Sequence, residues 1–295
     1  MLLITGPTGN VGQQLVDLLR HRQPPGGWRV ASRHPDELAR RLGDGGAEIS
    51  RLDFNDRSTW TPALSEVRAL FLLFPLPSNR TARNAILPFL RAAQDAGCRD
   101  VVYISVVGAD KASFIPHFKV ESALKASAMD WTILQCGFFM QNLHRAISTH
   151  GIDIVERGEL FIPAGSGRTS FLDARDAAGV AAMVLENPGP HRNRLYRLTG
   201  ATVLSMDQVA EALSDALGYP VRYTHPGLIR FASRLRSRGV GWDTIGFMSA
   251  VYTLTRFGRN QPVTDEVEQL VGRPPRTLQD FLRDSAWRWR HRDWT

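Results

Sequence analysis

Through the first half of the chain, short apolar runs alternate with stretches whose apolar residues recur at helical spacing. Residues 2–5 form the first run, and 11–20 follow with Val11, Leu15, Leu18 and Leu19 on one side. Strands are predicted at 28–32 and 47–52 around a helix at 35–42, and 69–74 is apolar throughout. A helix at 84–96, a strand at 100–105, a helix at 116–127 and a strand at 131–134 continue the alternation. Unbroken apolar runs fit strands covered on both faces, and the alternation predicts an α/β fold with a doubly wound parallel sheet. The second half is less regular. Residues 158–167 are turn-rich, 173–185 helical, 195–199 extended, and 205–217 a helix with a serine at its start. From about 220 onward the pattern is helical and arginine-rich, ending on Trp287, Trp289 and Trp294. Residues 1–150 thus read as one core. Residues 151–295 supply mixed segments that complete it and a smaller, mostly helical substrate-side region.

The composition changes this picture little. With 43% hydrophobic and 22% charged residues the 295-residue chain is an ordinary globular one. No apolar run reaches the ~18 residues of a membrane span, so no membrane partner is expected. The opening segment lacks the basic start of a signal peptide. Two cysteines, Cys98 and Cys136, are too few for a disulfide framework, and a cytoplasmic location is expected. The net charge of +7 comes almost wholly from dispersed arginines. A solvated basic surface explains it, and no specific nucleic-acid partner is expected.

Between the first strand and the first helix stand Gly6, Gly9 and Gly12, three residues apart, with Thr8, Asn10 and Val11 among them. Such spacing allows a tight turn, a close approach of backbone amides to a pyrophosphate, and tight packing of helix on strand. The helix start then offers free N–H groups and a partial positive charge to phosphates. The motif makes residues 1–150 a Rossmann-type nucleotide-binding core. At the end of the second strand, where NAD sites carry an acidic residue, stand Ser32 and Arg33. A hydroxyl and a guanidinium suit a 2′-phosphate, so NADP(H) is expected over NAD(H). Asp53 and Phe54, past the third strand, sit where a side chain flanks the adenine. For Phe54, plain packing is an equal alternative.

In such sheets ligands lie at the C-terminal ends of the strands. That rule selects Phe74 and Pro75 after the fourth strand, Ser105 after the fifth, and Gly137 to Asn142 after the sixth. Gly137 and Phe138 are assigned to the cofactor, with Lys119 on the helix beyond the fifth strand. Phe139, Met140 and Asn142 are assigned to a flat, aromatic substrate, although core packing also accounts for the apolar ones. No His/Cys cluster has metal-ligand spacing.

Several segments together resemble the NmrA-like branch of the atypical short-chain dehydrogenase/reductases. They are Thr5-Gly-Pro-Thr-Gly-Asn-Val-Gly12, Ile104-Ser-Val-Val-Gly-Ala109, Pro116-His-Phe-Lys-Val-Glu121, Asp130-Trp-Thr-Ile-Leu134, Gly137-Phe-Phe-Met-Gln-Asn142 and Phe171-Leu-Asp-Ala-Arg-Asp176. The resemblance implies a Rossmann domain, bound NADP(H) and a small C-terminal region closing over the nicotinamide. The chain departs from the wider pattern at the catalytic helix. Ser105 matches the usual serine, but Phe118 and Ser122 stand where a tyrosine and a lysine are usual. The nearest substitute is His117 with Glu121 one turn on, a carboxylate able to orient or charge an imidazole that would act as general acid. Gln135-Cys136 replaces the Arg-Pro usual in relatives. These features lead to an NADPH-dependent reductase of a small quinone, enone or imine, with Ser105, His117 and Glu121 as catalytic residues. Two alternatives stay open: a non-catalytic NADP(H)-sensing regulatory protein, and a tailoring or coupling enzyme for aromatic polyketide quinones. A homodimer is compatible with the length, but no segment argues for one.

Overall fold

A computed structural model describes the chain except residues 44, 76–77, 145–149, 260 and 286–295. Trp287, Trp289 and Trp294 lie outside the described residues. In chain order the strands are β1 (Leu2–Thr5), β2 (Trp28–Ser32), β3 (Glu48–Arg51), β4 (Ala69–Leu73), β5 (Asp100–Val106), β6 (Asp130–Cys136), β7 (Phe138–Phe139), β8 (Glu159–Leu160), β9 (Arg168–Leu172), β10 (Arg194–Leu198), β11 (Val203–Ser205) and β12 (Arg222–Tyr223).

Two compact units divide the chain. The first takes Met1–Gln135 and Ala177–Arg197; the second takes Cys136–Asp176 and Leu198–Thr295. The first is built on a seven-stranded sheet in the order β10-β6-β5-β4-β1-β2-β3. The pairings of β1 with β2 and β4, of β2 with β3, and of β4 with β5 are parallel. This is the doubly wound α/β sheet that the alternation predicts, and its order reverses between β1 and β4. Thr5 pins that point, since its hydroxyl donates to the Phe71 carbonyl (3.1 Å) and accepts the Leu73 amide (3.0 Å). Helix Asn10–Arg22 buries Val11, Leu15, Val16 and Leu19. Another cluster joins Leu3, Leu70, Leu72 and Tyr103 to Phe89, Val120 and Leu124.

The expected helix at 84–96 is less regular. Ala82–Ile86 is wide-turned, and regular α-helix runs over Leu87–Asp95. Pro88 has no N–H to bond four residues back, which loosens the ladder there.

The second unit contains a three-stranded sheet, β11-β9-β7, and a two-stranded one, β12-β8. The sequence pattern did not predict β7, β8, β9, β11 or β12 as strands. Helix Met206–Leu217 begins at Ser205, which accepts the Gln208 amide while Gln208 bonds back to Ser205, a full capping box. Phe161, Phe171, Val209, Leu213, Phe231 and Tyr252 are among the residues of this unit's own core. Among the described residues no helix is long and apolar enough to cross a membrane.

Candidate functional site

The glycine loop is held by contacts a side chain would break. Gly6 has φ +62, and a Cβ there would lie 2.6 Å from the Leu73 side chain; at Gly9 the corresponding distance is 2.8 Å. At Gly12 a Cβ would fall 2.0 Å from the backbone oxygen of Gly6. The Gly9 amide bonds that same oxygen at 3.0 Å. Helix Asn10–Arg22 starts at Gly9 with no side-chain cap and no acidic residue in its first turn. An uncapped helix start on a loop without room for side chains, at the point where the strand order reverses, fits a pyrophosphate.

Around this cradle the predicted residues fare differently. Arg33 is exposed at the end of β2, and the Ser32 hydroxyl accepts the His34 amide at 3.1 Å. The Asp53 carboxylate accepts the Asn55 amide (2.9 Å), and the Asp53 carbonyl takes the Trp60 indole (3.0 Å), so this residue closes its own turn. Phe54 packs edge-on against Phe89, ring centres 5.0 Å apart. Phe74 is buried, its ring 5.3 Å from that of His117, whereas Pro75 is exposed and Lys119 half-buried.

The expected His117–Glu121 partnership is replaced by two separate pairs. His117 Nδ1 lies 2.6 Å from the Tyr103 hydroxyl. Burial pushes the imidazole down to about 3, so the ring stays neutral and is not charged by the carboxylate. Glu121 Oε1 instead accepts the Ser105 hydroxyl at 2.5 Å and the Gln135 amide at 3.0 Å. The Gln135 amide also donates to Asp110 Oδ1 (3.0 Å), and Arg197 donates to Asp110 Oδ2 (3.1 Å). Burial pushes the Asp110 carboxyl up, but Gln135 and Arg197 outweigh it and hold it below its ordinary range. Phe118 is half-buried and Ser122 exposed.

Sequence reasoning missed Tyr103, Asp110 and Lys125 as members of this cluster. A signal existed for the first. Residues two apart on a strand span about 6.7 Å and residues four apart on a helix about 6 Å. Tyr103 and Ser105 can therefore meet His117 and Glu121 in register, which separates the histidine from the glutamate.

In the second unit, a Cβ at Gly137 would lie 2.9 Å from the Ser170 carbonyl. Phe138 packs on Phe171 at 5.0 Å, and Phe139 and Asn142 are half-buried. Met140 is 1% exposed within this unit's core, so packing accounts for it and no substrate-lining role is needed. Cys136 is buried, which raises its thiol and removes the thiolate that reactivity needs. Of the arginine cluster around residue 234, Arg234 and Arg238 bond the fully buried Asp153 at 2.9 and 2.8 Å, a structural use of charge.

Known proteins extend this picture. The sequence profile of the NmrA-like family matches residues 1–239. An NAD(P)H azoreductase from Xenophilus azovorans is 34% identical over 290 residues, 97% of this chain and 98% of that one. The solved structure of an NADPH-dependent quinone oxidoreductase from Escherichia coli, complexed with NADPH, matches with a TM-score of 0.82 at 25% identity. It covers 96% of this chain and 99% of that one. A Citrobacter sp. triphenylmethane reductase complexed with NADP(H) shares the fold, with a TM-score of 0.80 at 23% identity over 96% of this chain and 99% of that one.

Proposed function

The chain belongs to the NmrA-like family, and from that membership we propose that it is an NADPH-dependent reductase of a small conjugated acceptor of the quinone, enone, imine or azo class. Reduced nicotinamide, when bound, supplies the hydride. The chain's residues do the rest. The amides at the start of helix Asn10–Arg22 hold the pyrophosphate, and Arg33 with Ser32 holds the 2′-phosphate, which an acidic residue in their place would repel.

The observation that carries the acceptor class is the catalytic helix, where Phe118 and Ser122 replace the usual phenol and ammonium beside an intact glycine cradle. A simple ketone becomes a localised alkoxide on reduction and needs a phenol with an ammonium beside it, placed directly at that oxygen as the hydride arrives. A quinone or azo acceptor spreads the new charge over a conjugated system and lowers that demand. The azo and quinone reductases among its relatives support this reading.

The test is NADPH consumption with quinones, azo dyes and simple ketones, run beside NADH. Turnover with the conjugated acceptors and none with the ketones is expected. Arg33→Ser removes a charged partner of the 2′-phosphate. At about 1.5–3 kcal/mol for such a bond it should weaken NADPH binding roughly 10- to 100-fold and leave NADH unchanged. NADPH binding without turnover on any acceptor would overturn the reductase reading. Unequal affinity for NADP+ and NADPH would then point to a redox sensor.

A further inference from the structure

Glu121 is 1% exposed, and its two oxygens have different surroundings. Oε1 accepts Ser105 (2.5 Å) and Gln135 (3.0 Å). Oε2 is buried without a hydrogen bond, and the nearest cation is Lys125 Nζ at 3.7 Å, on a side chain 39% exposed. From β5, Tyr103 is a buried phenol whose hydroxyl faces His117, a neutral imidazole on the same helix as Glu121. From β6 comes the uncharged Gln135. Asp110 reaches the same Gln135 amide, but its charge is matched by Arg197 from β10. The carboxyl is therefore held by two neutral donors, near one negative charge, with a single half-exposed ammonium at its outer oxygen.

We propose that Glu121 is a positioning residue that stores a proton, passes it through Ser105 to the anionic oxygen or nitrogen of the reduced acceptor, and is reloaded from solvent by way of Lys125. The proposal rests on the reductase reading above. The acceptor gains two electrons and one hydrogen as hydride from the reduced nicotinamide, which is thereby oxidised. Its anionic atom then takes the Ser105 hydroxyl proton while the Glu121 O–H proton moves to Ser105 Oγ. Ser105 ends neutral. Glu121 ends as a carboxylate, the Lys125 ammonium returns a proton to Oε2 and regains its own from water, and a half-turn of the carboxyl about its Cγ–Cδ bond brings the protonated oxygen back to face Ser105 Oγ. The 2.5 Å oxygen pair of Ser105 and Glu121 serves in either direction: the carboxylate accepts from the hydroxyl, and the protonated acid donates to it. Burial raises the carboxyl above its ordinary range, Asp110 adds to this, and Ser105, Gln135 and Lys125 offset it only in part.

Two measurements test the proposal. In ligand-free protein titrated with pH, infrared spectroscopy should show the C=O band of a protonated carboxyl persisting above the ordinary carboxylate range and disappearing in Glu121→Gln. In turnover with NADPH and a quinone, the wild-type rate should fall as pH rises through the titration of Glu121. Glu121→Gln retains an oxygen for both Oε1 bonds but holds no acidic proton. It should lose that limb and on the order of 10²-fold in rate. Lys125→Met, a surface change that spares the fold, removes both the cation favouring the carboxylate and the reloading group, and should move the limb to higher pH while lowering the steady-state rate. Absence of the infrared band, or a pH limb unchanged in both variants, would overturn the proposal. Wild-type protein that shows the band but reduces no acceptor would instead remove the reductase reading and with it the relay, while the band alone establishes a stored proton.

Discussion

A methyl group at Gly12 would meet the Gly6 carbonyl at 2.0 Å, backbone against backbone, where no flexible side chain can give way. At Gly9 the nearest obstacle is the Leu73 side chain, which can rotate, while at Gly6 the same side chain is joined by the strain of a positive φ. Gly12→Ala should therefore displace the loop, lowering stability by about 1–3 kcal/mol and weakening NADPH binding at least roughly tenfold. Thermal melting and a binding titration check both, and wild-type affinity in the variant would show that the loop does not hold the cofactor. This glycine was legible because its role depends on spacing along the chain between a strand and a helix. The partners of His117 and Glu121 were not, because helical spacing places two residues on one face without saying which strand residue each will meet. The tertiary pairing was decided by Tyr103 and Ser105, whose alternation on β5 gave the imidazole a phenol and the carboxylate a hydroxyl. Gln135 stood out in the sequence only as an unusual residue; its bonds to both Glu121 and Asp110 needed the fold.

At the scale of elements, legibility follows burial. β1, β4, β5 and β6 of the large sheet carry buried, mainly apolar runs, and β2 and helix Pro35–Leu42 fall where periodicity puts them. β7, β8, β11 and β12 are two or three residues long, too short to show a period, and β9 follows a turn-rich stretch with Arg168, Thr169 and Ser170 at its start. The arginines of helix Leu228–Ser237, with Arg238 just after it, show the same limit. Their sequence suggests only a solvated basic face, but Arg234 and Arg238 turn inward onto Asp153, and Arg234 also reaches Glu159 at 2.7 Å. Asp153 is fully buried, so its charge is tolerable only with these partners. Asp153→Asn leaves Arg234, Arg238 and the more distant Arg157 (3.8 Å) facing a neutral amide and should cost about 3–5 kcal/mol of stability. A denaturant midpoint close to wild type would show that solvent already screens the cluster.

For the molecule as a whole, the order of the chain differs from the order of its units. The first unit takes residues up to Gln135, and the chain returns to it for Ala177–Arg197 after most of a second sheet has been laid down. The returning segment completes the large sheet. β10 is its edge strand beside β6, and the Asn193 amide bonds the Trp131 carbonyl at 2.7 Å while Thr132 donates to the His191 carbonyl at 2.8 Å. Helix Ala174–Glu186 contributes Ala177, Ala178, Val180, Ala181, Ala182 and Val184, all fully buried, and Glu186 closes it onto Arg22 at 2.9 Å. A fragment of residues 1–150 would contain the glycine loop, helix Pro116–Lys125 and every strand from β1 to β6, yet it would leave the β6 edge unpaired and the apolar surface under helix Ala174–Glu186 open to water. Exposed strand edges and apolar faces favour association over folding. The fragment should therefore lack a cooperative thermal transition, aggregate, and fail to gain stability from NADPH. The full chain should melt cooperatively and be stabilised by about 2.7 kcal/mol at a hundredfold excess of NADPH over its Kd. A soluble, cooperatively folding 1–150 fragment that binds NADPH would mean that the first six strands suffice, and that the returning segment is an addition to a finished domain.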